Sequence, residues 1–382
     1  MLLLTSFSTQ LHRVAGGLLV SDNRRRFVAI YKAIKKLYPT EPRGNTARHL
    51  TTLAMLISGI VASKRVNLPA IAGKVPTMTK VDSQVKRFSR WIDNQRIDYE
   101  CYYLPYAQQL LHNLANETLV LVMDGSPVGR GCRTLMLSAV YKKRALPLAW
   151  LVAQGSRGHF SEENHITLVE QVRQIIPEDV NVMFLGDGEF DGTNLQAKVN
   201  GYGWKYVCRT AKDTIITQHS EAFTFQELQV QPGGRITLLS VAITQKQYGP
   251  VQAIAWWDEE YEDPIYLISN LSVHESIHRD PCNWYSLRFC IETLFSDQKS
   301  RGFHLHKSHI SDPARLAQLM IAACLAYIWI IYLGNLSIQQ GWSKIIHRTE
   351  RCDLSLFQLG LRLLDYFLNQ EMKIPVAFNR VE

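Results

Sequence analysis

From Thr118 to Arg209 the chain reads as three apolar strands, a helix, a strand, a helix and a strand, and two of those strands run straight into an aspartate. TLVLVMD (Thr118 to Asp124) is the first, followed by Gly125-Ser126-Pro127. TLMLSAVYKK and ALPLAWLVA follow as two more, separated by a Lys142-Lys143-Arg144 turn. His165 to Ile176 has a helical pattern, and after Pro177 a fourth strand, Val180 to Leu185, delivers Gly186-Asp187-Gly188-Glu189. A short helix at Thr193 to Val199 and a strand at Trp204 to Arg209 complete the series. Near-continuous apolar strands of this kind are buried on both faces, as in a sheet covered by helices. A carboxylate at the end of such a strand emerges on a rigid support, which is what a metal site on a sheet requires. The glycines beside Asp187 let a ligand approach the backbone closely. Taken singly, each aspartate has an ordinary reading, because Asp-Gly is a common turn dipeptide. Two apolar strands that both end in one are harder to obtain by chance.

A second stretch, Trp284 to Phe303, places charge where an apolar helix should not tolerate it. At about 100° per residue Tyr285, Arg288, Glu292 and Lys299 fall at roughly 0°, 300°, 340° and 320°, one stripe about 60° wide. Leu287, Ile291 and Leu294 lie on another arc and anchor the helix to a core. By spacing alone, Arg288 and Glu292 are equally an ordinary i,i+4 pair on a solvated face, worth about 0.2–0.5 kcal/mol.

The spacing Tyr285-x2-Arg288-x3-Glu292-x6-Lys299 resembles the Y-x2-R-x3-E-x6-K signature of bacterial insertion-sequence transposases of family four, which belong to the DDE class with a ribonuclease H-like core. The resemblance implies that Glu292 is the third metal-binding carboxylate and that two aspartates precede it on buried strands, the positions taken by Asp124 and Asp187. The strand and helix order from Thr118 agrees with such a core. The resemblance further implies two Mg2+ ions, with Mn2+ able to substitute, about 3.5–4 Å apart as in two-metal phosphoryl transfer. Asp124 would bridge both, and Asp187 and Glu292 would each complete one. Tyr285, Arg288 and Lys299 would contact phosphates near the transposon end. Ser355 to Leu361 is similar to the tail of these transposases and carries no readable chemistry.

The remaining chain fits this expectation. The net charge of +8 is unevenly placed: residues 1–100 carry 17 Lys/Arg against 6 Asp/Glu, and the remainder 25 against 28. Concentrated positive charge suits a polyanion, though solvated structural bundles show it too. FVAIYKAIKKLYP, TARHLTTLAMLISGIVAS and VDSQVKRFSRWIDNQ repeat apolar residues at helical intervals, with Pro39, Pro42, Pro69 and Pro76 between them. Basic groups gather at Arg24-Arg25-Arg26, Lys35-Lys36, Lys64-Arg65 and Lys86-Arg87-Arg90, suited to phosphate contacts. Between Thr210 and about Arg279 the pattern changes to short strands and turns, a β-rich insertion in which Trp256 and Trp257 either stack on an extruded base or pack on the sheet. His304, His306, Lys307, His309 and Arg315 suit a phosphate backbone better than a metal, since no third ligand stands at a known spacing.

The seven cysteines form no CxxC pair, which suits reduced thiols in a cytoplasm. The N-terminal segment lacks the basic lead of a signal peptide. The longest apolar run, Leu319 to Leu333, is below the roughly 18 residues of a membrane span and reads as a buried core helix. The expectation is therefore an α/β chain: an all-α basic DNA-binding region over 1–116, a ribonuclease H-like core over 117–209 and 280–345, a β-rich insertion over 210–279 and a helical tail over 346–382. Its expected partners are double-stranded DNA, as terminal inverted repeats and target, and a second copy in a homodimeric synaptic complex, in the cytoplasm with no membrane. Two other readings share the sequence features: a nuclease of the same fold that hydrolyses without strand transfer, and a non-catalytic repressor descended from a transposase.

Overall fold

The structure, a computed structural model, describes residues 21–38, 40–114, 118–155, 158–347 and 353–378. Pro39, Cys352, the N-terminal apolar segment and the 116/117 boundary lie outside them. The described chain opens with helices α1 (Asp22–Lys35), α2 (Gly44–Ser63), α3 (Leu68–Ala72), α4 (Val81–Ile92), α5 (Tyr99–Tyr102) and α6 (Leu104–Leu114). Pro69 stands in the first turn of α3, where its missing N–H costs nothing, so it starts a helix as well as separating two.

The core follows as β1 (Leu119–Gly129), β2 (Cys132–Tyr141), β3 (Arg144–Gln154), α7 (Glu162–Arg173), β4 (Val182–Gly186), α8 (Thr193–Gly201) and β5 (Lys205–Thr210). Lys142 and Lys143, with φ of 46° and 60°, turn the β2–β3 hairpin in the left-handed pair that matches strand twist. Helix α7 begins three residues before the expected His165, because Ser161 accepts a hydrogen bond from the Asn164 N–H and Glu162 and Glu163 complement the helix dipole.

Strands β1, β2 and β3 are antiparallel, whereas β4 pairs in parallel with β1 and β5 in parallel with β4. The order β3-β2-β1-β4-β5 is that of a ribonuclease H-like core. The insertion supplies β6 (Ile215–Gln218), β7 (Glu221–Thr224), β8 (Arg235–Ile243), β9 (Tyr248–Trp256) and β10 (Ile265–Ser269). These strands extend the core sheet. β10 pairs antiparallel with β5, and the sheet continues through β9, β8, β6 and β7.

The chain then forms α9 (Val273–His278), α10 (Pro281–Ser286), a 3₁₀ turn at Leu287–Phe289, α11 (Cys290–Gln298), α12 (Pro313–Gln339), α13 (Ser343–Ile346) and α14 (Leu356–Asn369). Helix α12 is longer than its apolar run, at 27 residues with a window of mean hydropathy 2.1, long and apolar enough to cross a membrane by length and composition. Its burial accounts for that composition, since 83% of the window is enclosed by the protein. Each fully buried leucine there, such as Leu319 or Leu325, contributes about 1.5–3 kcal/mol of transfer free energy. Helix α14 crosses α12 at glycines: a Cβ on Gly334 would overlap the Leu356 carbonyl, and one on Gly360 the Ile330 carbonyl.

The N-terminal helices share one hydrophobic core with the sheet. The Tyr103 and Tyr99 hydroxyls donate to the Pro147 and Leu148 carbonyls of β3 at 2.6 and 2.7 Å. Part of the basic N-terminal charge serves this packing. Arg25 donates to the Leu368, Phe367 and Met372 carbonyls at 2.8, 3.2 and 2.7 Å, closing the end of α14. Buried Arg26 donates to the Ser58 carbonyl at 3.0 Å and Lys35 pairs with Glu41 at 2.5 Å.

Candidate active site

Asp124 lies within β1, and its register partner Met136 belongs to β2. Asp187 follows the last residue of the adjacent parallel strand β4. The parallel pairing of Val122 with Leu185 brings the two aspartates side by side on adjacent strands in the interior of the sheet. Glu292 arrives from the first turn of α11, which packs against β1 and β3. Asp124 and Asp187, 63 residues apart, and Glu292, a further 105 along the chain, meet because β4 ends beside the middle of β1 under one helix.

The group at their centre is Arg288. Its Nη1 lies 3.6 Å from Asp124 Oδ2 and 4.0 Å from Asp187 Oδ2, and its Nη2 donates to Glu292 Oε1 at 2.7 Å. Only 9% of the Arg288 side chain is exposed, against 54% for Glu292. Burial opposes the guanidinium charge, but Tyr285 and the three carboxylates more than offset it and hold its pKa above the ordinary value. Asp124 is pushed up to about 7, first by burial and then by Asp187, against the opposing pull of Arg288 and the Gly125 N–H, which donates to Asp124 Oδ1 at 2.7 Å.

The expected single helix carrying the four signature residues is broken. Three residues at about 120° in a 3₁₀ turn, in place of 100°, add roughly 60° of rotation. Tyr285 is consequently buried, 1% exposed, with its ring 5.8 Å below the Arg288 guanidinium. Lys299 lies just past α11 and reaches β1, donating from Nζ to Ser126 Oγ at 2.6 Å; burial lowers its pKa, and Asp124 opposes the shift.

Other expected contact residues stand elsewhere. Trp256 meets the Tyr261 ring edge-on at 5.6 Å and the Trp257 indole N–H donates to the Tyr261 carbonyl at 3.0 Å, so both half-buried tryptophans are engaged by their own hairpin. On α4, Lys86 and Arg90 are exposed, whereas half-buried Arg87 donates to Thr52 Oγ1 at 3.0 Å. Two residues not singled out from sequence border the carboxylates. Ser126 holds Lys299. Exposed Arg209 follows Cys208, the register partner of Gly186, and so stands beside Asp187 on the next strand. It also acts on Tyr285, whose phenol burial pushes up while Arg288 and Arg209 pull down. Strand register, which brings Arg209 to the site, has no signal in the local sequence.

Among the described residues no group of three or more His, Cys, Asp or Glu is arranged as a metal site, because the three carboxylates turn to the guanidinium. Their charge nonetheless suits a cation: three carboxylates face one arginine, and burial, then Asp187, pushes the pKa of Asp124 up to about 7, which added positive charge would oppose. A cavity of about 1210 Å³ between α1 and residues 371–378 shares no lining residue with this site.

Residues 107–329 match the sequence family described as the transposase DDE domain. A comparison with curated proteins gives no match. Among solved structures, a piggyBac transposase synaptic complex with hairpin DNA is similar over 92% of this chain and 80% of that one, at 13% identity and a TM-score of 0.45. Human ENDOV is similar over 51% of this chain and 91% of that one, at 13% identity and a TM-score of 0.26. Endonuclease V of Ciona intestinalis, in complex with an inosine-containing DNA, is similar over 44% and 80%, at 12% identity and a TM-score of 0.26. At these scores the likenesses bear no weight, and strand order with register establishes the fold. The family match spans more than half of the sequence and encloses both aspartates, Glu292 and the whole Tyr285-to-Lys299 stretch: the chain belongs to the transposase DDE domain family.

Proposed function

We propose that this chain cuts DNA at the ends of its own element and joins the exposed 3′ ends to target DNA, with Asp124, Asp187 and Glu292 as the acidic set. The observation that carries this reading is the convergence of three carboxylates from β1, the end of β4 and α11 on one buried guanidinium. The Tyr285-Arg288-Glu292-Lys299 spacing supports placement among insertion-sequence transposases of family four. In the reaction proposed, water first displaces the 3′-oxygen at the element's end, and the 3′-OH so formed then displaces a 3′-oxygen in target DNA. Each step exchanges one P–O bond for another, so no energy-supplying cofactor is needed.

Asp124, Asp187 and Glu292 would hold divalent metal, with Mg2+ the natural choice for hard oxygen ligands and Mn2+ a substitute. When bound, the metal would supply Lewis-acid activation of the attacking oxygen and charge stabilisation of the leaving one. Arg288 keeps the carboxylates gathered when the negative charge is otherwise uncompensated. Lys299, tied to Ser126 on the strand that carries Asp124, is placed to hold a phosphate of the cleaved strand. Exposed Lys86 and Arg90 on α4 add positive surface for duplex DNA. Two element ends require two such sites, which favours a homodimer in the joined complex.

The test is incubation of the full chain with its element's own ends, a target plasmid and Mg2+, with products mapped on a sequencing gel. Joined DNA is the expected product. Cut but unjoined ends would assign a nuclease, and bound but intact ends a repressor.

A further inference from the structure

Successive residues of a strand face opposite sides of the sheet. Asp124 and Ser126 face the side that carries Arg288 and Lys299. Gly125, between them, faces the other. A Cβ there would lie 3.8 Å from Glu189 Oε2 and 3.9 Å from the Phe160 ring, so a second group of side chains closes on the same strand end from the opposite face. The backbone N–H of Glu189 donates to Asp187 Oδ1 at 2.9 Å, which fixes this group to the second aspartate.

The Glu189 carboxylate is well supplied with partners. It accepts from the Phe160 N–H at 2.6 Å and lies 3.3 Å from His165 Nε2, on an imidazole that is buried against Phe190. Burial pushes the Glu189 pKa up, but these groups and His159 more than offset it and hold it below the ordinary value. His159 adds a third partner, Nδ1 to Glu189 Oε2 at 2.9 Å, from a side chain that is 79% exposed. Its backbone is clamped as well: Arg133 donates to the His159 carbonyl at 2.9 Å and to the Gly158 carbonyl, and its guanidinium lies 4.4 Å over the Phe160 ring. Phe160 and His165 both meet Glu189 Oε1, and His159 meets Oε2, so the exposed imidazole is held in one orientation at a cost in conformational entropy. With Nδ1 turned to Glu189, the ring presents Nε2 to solvent at the rim of the site.

Resting on the transposase reading, we propose that His159, oriented by Glu189, is a phosphate-binding residue that grips DNA from the face of the sheet opposite Arg288 and Lys299. The DNA strand is then held from both faces of the sheet beside Asp124. The hydrogen bond to Glu189, with the charges of Glu189 and Asp187, raises the His159 pKa and favours the cationic ring that a phosphate contact uses.

The experiment is a salt titration of binding between the full chain and a short mixed-sequence duplex, read by fluorescence anisotropy in EDTA below the ordinary imidazole pKa of about 6.5. Wild type, His159→Gln and His159→Lys are compared, with thermal melts of each. His159→Gln should bind roughly tenfold more weakly, with a salt slope shallower by about 0.9, the share of one phosphate contact. His159→Lys should recover the slope. If His159 serves only to neutralise Glu189, His159→Gln will melt earlier yet bind with wild-type affinity and slope, which overturns the proposal. Wild-type cleavage of element ends alongside that result would leave the transposase reading standing; a wild-type chain that binds no duplex would overturn both.

Discussion

Removing the Arg288 guanidinium should unbalance the carboxylate cluster in a way that a divalent cation repairs. Its nitrogens stand 3.6 Å from Asp124, 4.0 Å from Asp187 and 2.7 Å from Glu292. At about 4 Å and an effective dielectric near 20, one such pair is worth about 4 kcal/mol before desolvation is counted. Deleting one partner of a buried pair typically costs about 3–5 kcal/mol. Glu292, with 54% of its side chain exposed, contributes little to that cost. Arg288→Ala should therefore lose about 3–5 kcal/mol in EDTA, or roughly 6–20 °C of melting temperature at about 2–4 °C per kcal/mol. The pH dependence follows from Asp124, whose pKa is raised from 3.8 to about 7 in the fold. Stability from its protonated form is complete below the unfolded value and lost as pH rises through about 7. The metal-free wild type should thus melt earlier as pH rises through that range, and Arg288→Ala should carry the fall to higher pH. Mg2+ should stabilise Arg288→Ala by about 2.7 kcal/mol at a hundredfold excess over its Kd, and by more than it stabilises wild type at the same concentration. The assay is differential scanning fluorimetry in EDTA and in Mg2+, with Arg288→Lys as the charge-keeping control. A variant that melts with wild type in EDTA, or a loss that Mg2+ leaves untouched, would refute the reasoning.

Three further outcomes are expected. Lys299→Ala should keep the fold but weaken engagement of the cleaved strand roughly tenfold to a hundredfold, the cost of one charged contact, in single-turnover cleavage of pre-bound ends. Unchanged rates with a lowered melting temperature would assign Lys299 to structure alone. Gly334→Ala and Gly360→Ala should each cost on the order of 1–3 kcal/mol or more in urea unfolding, because the new Cβ meets a carbonyl of the partner helix; wild-type stability in either would contradict the α12–α14 contact. Asp297, paired with Arg144 at 3.4 Å, is pushed up to about 6 by burial, against the pull of Arg144. The stability its protonated form supplies is complete below 3.8 and lost as pH rises through about 6, so Asp297→Asn should flatten the melting profile across that window, and an unaltered profile would contradict the assignment.

Much of the site was legible because it lies on the chain's most regular elements. TLVLVMD announces both a buried strand and the carboxylate it carries, and Val180 to Asp187 repeats the statement. What periodicity could not give was the turn of Leu287 to Phe289, since a uniform 100° per residue conceals a 3₁₀ segment and so joined Tyr285 to the stripe of Arg288, Glu292 and Lys299. Strand register was equally invisible, and with it the places of Arg209, Ser126 and Glu189. The insertion read correctly as β-rich, but its joining to β5 through β10 depends on long-range pairing that local pattern does not encode. Charge counts misjudged Arg25 and Arg26 for the same reason: their carbonyl partners, Leu368 and Ser58, are remote in sequence.

The central claim is that Asp124, Asp187 and Glu292 form one metal-dependent cutting site, and single-turnover cleavage of pre-bound element ends in Mg2+ tests it most directly. Asp124→Asn, Asp187→Asn and Glu292→Gln each remove a ligand charge while leaving the DNA contacts in place. Each should abolish cleavage and keep end binding near the wild-type level. Near wild-type cleavage by any one of the three would remove that residue from the site and contradict the account.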